Sequence, residues 1–267
     1  MKKKNKNKQP LILLTNDDGV DAKGIRVLLD IAKEFGRVVM VAPAVGRSGM
    51  SHAITFNTPL RLKRIYQDPN VEIYRCSGTP ADCVKLAQRY LLKNEKIDLL
   101  VSGINQGSNT SASTHYSGTV AAAMEGCING LKAVAFSIVN YSSPFNCDAA
   151  LEAAKKIIPL LLENDLPKHV CLNVNIPNIP ASDIKGYKIT RQANNYWIED
   201  MQERKDPMDR PYFWMSGDMY KADKGRDTDQ WAVEHNYVSV TPIKSDMTAY
   251  EAMEEFKQWK LKKTTKR

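Results

Sequence analysis

Four consecutive apolar residues, Leu11-Ile12-Leu13-Leu14, are followed within one turn by Asn16-Asp17-Asp18-Gly19. Four residues are too few for a helix and too continuously apolar for a strand with one wet face, so the run is predicted to be a strand buried on both sides. Ligands of open parallel sheets bind outside the carboxyl ends of the strands, which is where these polar residues fall. Side chains alternate along an extended chain, so neighbouring carboxylates converge only if the strand has stopped and turned. Gly19, free to take positive φ, supplies that turn. Two carboxylates held together repel unless one is protonated or a cation lies between them. A cation bound by oxygens would be Mg²⁺, Mn²⁺ or Ca²⁺ rather than zinc. The blander alternative is a polar turn in which Asp18 or Asp21 caps the next helix.

The same alternation recurs down the chain. Residues 22–35 carry Ile25, Leu28, Leu29 and Ala32 at helical spacing, Gly36 ends the helix, and Arg37 to Pro43 is a second buried strand, closing a right-handed βαβ unit. Two shorter extended pieces, near Leu60 to Lys63 and Val71 to Tyr74, read as a hairpin lying to one side. A helix opens at Thr79-Pro80 and runs to about Leu92. Strands are predicted at residues 97–103, 133–138 and 169–174, with helices from Ser117 and from Cys147 to Leu162 between them. The fold class is therefore α/β, a doubly wound, Rossmann-like, mostly parallel sheet. Residues 11–256 form its single domain.

Residues 176–235 change character, being rich in Pro, Asn, Asp, Trp and Tyr with no helical period. A strand is predicted around Tyr187 to Thr190. The rest, with Trp197, Tyr212, Phe213, Trp214 and Trp231, reads as loops and hairpins, either an irregular subdomain or an arm used in oligomerisation. Residues 237–242 return as a strand and 250–259 as a final helix.

The net charge of +8 suggests an anionic partner until it is located. Five lysines lie in residues 1–10 and six Lys or Arg in residues 257–267, with no acidic residue in either tail, so the body holds 27 basic against 30 acidic residues. The basic tails are expected to be solvated and partly disordered, and stable nucleic-acid binding is not expected of the body. No run of about 18 apolar residues exists, so neither a signal peptide nor a membrane span is expected. Five scattered cysteines without a C-x-x-C pair suit reduced thiols in the cytoplasm.

Three polar strand ends fall on one sheet edge: residues 16–19, the loop Gly46 to His52, and Ser102 to Asn109. A fourth piece, Tyr116-Ser117-Gly118-Thr119, puts hydroxyls and a glycine at a helix N-terminus, where free N–H groups favour phosphate. Each is an ordinary turn or cap alone; their convergence points to metal-assisted phosphate chemistry.

Taken in order, Asn16-Asp17-Asp18-Gly19, Arg47-Ser48-Gly49, Gly78 to Val84, Ser102 to Asn109 and Tyr116 to Gly126 resemble the successive motifs of the SurE family of stationary-phase survival proteins, which are 5′/3′-nucleotidases. The resemblance runs from about residue 11 to 255. It implies a phosphatase acting on nucleoside monophosphates with one divalent cation, Mg²⁺ or Mn²⁺, per subunit, held by Asp17, Asp18, Ser48 and Asn105. It also implies a homodimer or homotetramer formed through C-terminal extensions. Residues 111–115 and the basic tails depart from the family pattern, which leaves substrate preference open.

The mechanism that follows has the cation bridge a phosphate oxygen and a water, with Asp17 or Asp18 taking the proton. Asn16, Asn109, Ser117, Gly118 and Thr119 would hold the phosphoryl oxygens. A covalent aspartyl-phosphate is the rival, though the Asp-x-Asp arrangement common to it is absent. His52 and His115 fall near the same edge and are either leaving-group acids or loop histidines without a catalytic part. Competing functions are a broad acid phosphatase or exopolyphosphatase on the same site, and a non-catalytic nucleotide or RNA binder.

Overall fold

The computed structural model describes residues 9–139 and 147–259. The expectations for the extreme tails, residues 1–8 and 260–267, lie outside the described residues. Strand β1 (Leu11–Thr15) is buried throughout. Ile12 and Leu14 enter one apolar cluster, and Leu11 and Leu13 enter another on the opposite face. This two-sided burial explains a run with no polar alternation, each leucine contributing about 1.5–3 kcal/mol. Helix α1 (Lys23–Ala32) buries Ile25, Leu28, Leu29 and Ala32 against the first cluster, and β2 (Arg37–Pro43) returns parallel to β1.

The hairpin β3 (Leu62–Gln67) and β4 (Val71–Cys76) does not lie to one side. It extends the main sheet, β4 pairing parallel with β2 and β3 forming the outer edge. Burial on both faces of β4 feeds Val71 and Ile73 into the first cluster and Tyr74 and Cys76 into the second; short-range pattern revealed the hairpin but not its sheet neighbour. Helix α2 (Pro80–Leu86) starts in a capping box, Thr79 Oγ1 accepting from Asp82 N at 3.2 Å and Asp82 Oδ2 accepting from Thr79 N at 2.9 Å. Beyond Leu86 it widens into a π-helical turn over Ala87–Leu91, so the expected helix to Leu92 is not α-helical to its end.

Strand β5 (Leu99–Gln106) lies on the other side of β1. After it come α3 (Ser113–Tyr116), α4 (Gly118–Ile128), β6 (Ala133–Val139), α5 (Asp148–Glu163) and β7 (Val170–Pro177). β8 (Gly186–Ile189), the long hairpin β9 (Tyr196–Lys205) and β10 (Pro211–Tyr220), α6 (Asp229–Glu234), β11 (Tyr237–Lys244) and α7 (Tyr250–Lys257) complete the described chain. Helix α6, within residues expected to lack helix, is capped by Thr228, whose side chain accepts from Trp231 N; six residues are too short for a periodic signal.

The nine-stranded sheet has the order β3-β4-β2-β1-β5-β6-β7-β11-β8. From β4 to β7 it is parallel, while β11 runs antiparallel to β7. The chain winds outward from β1 in one direction and then, from β5, in the other. The carboxyl ends of β1 and β5 thus flank the topological switch point. Among the described residues no helix is long and apolar enough to cross a membrane.

Candidate functional site

At the end of β1 the chain turns sharply, and Asn16 clasps the turn. Its Nδ2 donates to Gly19 O at 3.0 Å and its Oδ1 accepts from Gly19 N at 3.2 Å, while Gly19 takes φ +104°. Asn16 is fully buried and its amide is spent on that clasp. Asp17 and Asp18 are left to the site. Neither Asp18 nor Asp21 caps α1, whose N-cap Ala22 makes no side-chain hydrogen bond; Asp21 instead pairs with Arg26 and Arg75.

Asp17 is 3% exposed. Burial pushes its carboxyl above the usual range, opposed by the Thr119 hydroxyl on Oδ1 and by backbone N–H groups of Thr119 and Gly118. The N-terminus of α4 is therefore turned onto a carboxylate. A Cβ on Gly118 would stand 2.8 Å from Asp17 Cβ, so only glycine admits this approach. Burial and the neighbouring charge of Asp17 push Asp18 up to about 6, against a hydrogen bond from the Gln106 backbone. Among the described residues no basic side chain forms an ion pair with either. Two adjacent, desolvated carboxylates without a cationic partner fit a bound cation.

The remaining donors come from two other strand ends. A cavity of about 250 Å³ is lined by Asp17, Ser48, Asn105, Asn109, Ser117 and Trp197, among others. Asn105 donates Nδ2 to Gly107 O at 2.9 Å, which leaves its oxygen available as a donor of lone pairs. Hydroxyl, amide and carboxylate oxygens suit a hard divalent cation. No group of three or more His, Cys, Asp or Glu that could hold a metal occurs among the described residues. Asn16, Asp18, Gly118 and Thr119 stand outside the lining, the last two behind Asp17.

Ser48 is exposed, but the loop that carries it is pinned downstream. Ser51 N donates to Tyr116 O at 3.1 Å and Ser51 Oγ to His115 O. Ala53 O accepts from Thr79 Oγ1 at 2.7 Å, and Thr55 donates twice to Asp82. His52 Nε2 lies 3.0 Å from Glu125 Oε2. Glu125, 4% exposed, also accepts from Lys85 Nζ at 2.6 Å and from Asn129 Nδ2 at 2.5 Å. Burial pushes its carboxyl up, but these donors outweigh burial and hold it at about 2.

Asn109 is fixed by a buried polar ladder that the sequence reading missed. Its backbone N donates to Asn175 Oδ1 at 2.8 Å, its carbonyl accepts from Asn173 Nδ2 at 2.8 Å, and its Nδ2 donates to Ser137 Oγ at 2.8 Å. The signal was present as Asn173-Val174-Asn175, two amides inside a buried strand. Ser117 caps α4, its Oγ accepting from Val120 N at 3.1 Å. From the hairpin, Trp197 Nε1 donates to Ser113 Oγ at 3.2 Å, tying β9 to the site loop.

These features define a doubly wound α/β protein with an acidic, oxygen-donor site at its switch point, assembled from loops that follow separate strands. The chain belongs to the SurE family: the family model "Survival protein SurE" matches residues 12–199. It is 46% identical over 253 residues to the 5′-nucleotidase SurE of Cytophaga hutchinsonii, covering 94% of this chain and 98% of that one. It is 46% identical over 256 residues to the 5′-nucleotidase SurE of Flavobacterium psychrophilum, with 96% and 99% covered. The crystal structure of the SurE protein from Aquifex aeolicus is similar at a TM-score of 0.81 and 40% identity, covering 93% of this chain and 98% of that one.

Proposed function

We propose that the chain is a divalent-cation-dependent phosphatase that hydrolyses nucleoside 5′-monophosphates, and 3′-monophosphates at the same site. The observation that carries this is the carboxylate pair at the end of β1, buried Asp17 and half-buried Asp18: neither caps α1 nor, among the described residues, pairs with a basic side chain, and Asp17 opens on a cavity shared with Ser48 and Asn105. The names of the relatives point the same way. Asp17, Asp18, Ser48 and Asn105 would hold Mg²⁺ or Mn²⁺. When bound, such a cation supplies Lewis acidity to a phosphoryl oxygen and acidifies water.

The chain's own groups do the rest. Asp17 already accepts from Thr119, which fixes its orientation, whereas Asp18 takes one backbone N–H and keeps lone pairs for a proton from the attacking water. Asn109 and Ser117 face the cavity and would hold phosphoryl oxygens; Asn16, Gly118 and Thr119 act one step back, shaping the carboxylate pair. The exposed Phe213, Trp214 and Met215 of β10 are assigned to association with another copy of the chain as a homodimer or homotetramer. Five free cysteines fit the reducing cytoplasm.

Phosphate release from AMP with Mn²⁺ or Mg²⁺, with and without chelator, tests the activity. Turnover should vanish with chelator and fall about 10²–10⁴-fold in Asp18→Asn. No cation-dependent turnover of any nucleoside monophosphate would overturn the assignment.

A further inference from the structure

Helix α3 contributes Ser113 and Tyr116 to the lining of the cavity shared by Asp17, Ser48 and Asn105, yet it buries no residue of its own. With no buried side chain to fix it, its position rests on hydrogen bonds. The residues leading into it are bonded, one after another, to a later part of the chain. Thr110 Oγ1 donates to Gln230 Oε1 at 2.6 Å, Ser111 N to Asp229 Oδ2 at 3.0 Å, and Ala112 N to Asn195 O at 3.2 Å. Ser111 O accepts from Gln192 Nε2 at 2.8 Å. Ser111 itself sits at φ +54°, a left-handed conformation that a residue with a side chain keeps only when its surroundings impose it.

Asp229 is the centre of these ties. It is fully buried. Its Oδ1 accepts from Ala193 N at 2.9 Å and from Gln230 N at 2.7 Å, while Oδ2 takes Ser111 N. Burial pushes its carboxyl up, opposed by these three N–H groups. Capping of α6 does not account for this arrangement, because Thr228 fills that place, its Oγ1 accepting from Trp231 N at 3.1 Å. Oδ2 reaches instead across 118 residues of sequence to the site loop.

We infer that Asp229 is a positioning residue for the reaction, holding α3, with Ser113 and Tyr116, as one wall of the cavity in which the phosphate ester is cleaved. The inference rests on the phosphatase function proposed above. The cation donors are anchored without Asp229. Asp17 is held by Thr119, Arg47 N donates to Asp17 O at 2.7 Å beside Ser48, and Asn105 is tied to Gly107, whose N donates to Ile138 O at 2.9 Å. Cutting the tie to Ser111 should therefore slow turnover and spare cation binding.

Asp229→Asn cuts that tie while keeping the shape. Its one oxygen keeps two donors by facing Ala193 N and Gln230 N, which sets its NH₂ against Ser111 N–H, donor against donor. With AMP and Mn²⁺ saturating, kcat should fall about 10–100-fold while the Mn²⁺ dissociation constant stays within about twofold of wild type. Amide hydrogens of residues 110–113 should exchange about tenfold faster, with β1 and β5 unchanged. Asp227→Asn, which removes an exposed ion pair with Arg191 from the same junction, should leave kcat within about twofold. Gln192→Ala strips the bond to Ser111 O; it should lower kcat about threefold, again sparing Mn²⁺, and serves if the asparagine variant does not fold. A kcat unchanged in both Asp229→Asn and Gln192→Ala, Mn²⁺ affinity that falls as far as kcat, an equal loss in Asp227→Asn, or unaltered exchange at residues 110–113 overturns the inference. If wild type does not hydrolyse AMP, the proposed activity fails, and exchange at residues 110–113 still decides whether Asp229 holds the wall.

Discussion

Glu125→Gln tests whether the buried carboxylate is the post on which His52 and Lys85 are hung. In the folded chain its ionisation is favoured from the ordinary 4.5 down to about 2. Taken at face value that is about 3 kcal/mol of stability. Lys85 is 42% exposed and His52 33% exposed at their side chains, so solvent screens both partners and the net figure is about 1.5–2 kcal/mol. The folded carboxyl titrates below the unfolded one, so this stability is fully present above about pH 4.5 and is lost as pH falls through about 2. Urea unfolding of wild type and Glu125→Gln should therefore differ by about 1.5–2 kcal/mol at pH 7. The gap should begin to close below pH 4.5, because glutamine mimics the protonated acid. A gap that is absent at pH 7, or that persists unchanged at pH 3, would refute the reasoning. The latter result would mean that shape rather than charge holds the post.

Gly118→Ala forces a methyl to within 2.8 Å of Asp17 Cβ; it should cost about 1–3 kcal/mol in urea unfolding and weaken Mn²⁺ binding, and an unchanged value in both would mean α4 yields freely. Saturating Mn²⁺, at about a hundred times its dissociation constant, should raise the melting temperature by about 5–10 °C at pH 7 by calorimetry. Asp18→Asn should abolish most of that rise; a rise that survives would place the cation elsewhere. Replacing the exposed Phe213 and Trp214 by lysine should reduce the mass seen by light scattering if the hairpin joins copies, and an unaltered mass would exclude that role for it.

What the sequence made legible was local or periodic. The continuous apolar run at Leu11 to Leu14 announced a strand buried on both faces, and the helical spacing of Ile25, Leu28 and Leu29 announced its return helix. The polar strand ends of β1 and β5 do flank one switch point, with the Ser48 loop lining the same cavity. Lateral placement was not legible. Nothing short-range in Val71 to Cys76 says that β4 will pair with β2, because that choice is made by long-range burial. The use of α4's N-terminus was also hidden. Free N–H groups at a helix start suit any anion, and here those of Gly118 and Thr119 hydrogen-bond to the Asp17 carboxylate. Asn173 falls inside the predicted strand and Asn175 just past it, and no local pattern says that their amides hold the distant Asn109.

The cavity's oxygen donors are spread through the chain, Asp17 after β1, Ser48 after β2 and Asn105 at the end of β5, so no contiguous fragment carries the set. A cation that needs all of them binds only a chain whose central strands have already paired, and its affinity is drawn from that pairing. Peeling β5 away from β1 would dismantle the proposed cation site even with every oxygen donor still on its own segment. The site is thus a gauge of whether the middle of the sheet is whole.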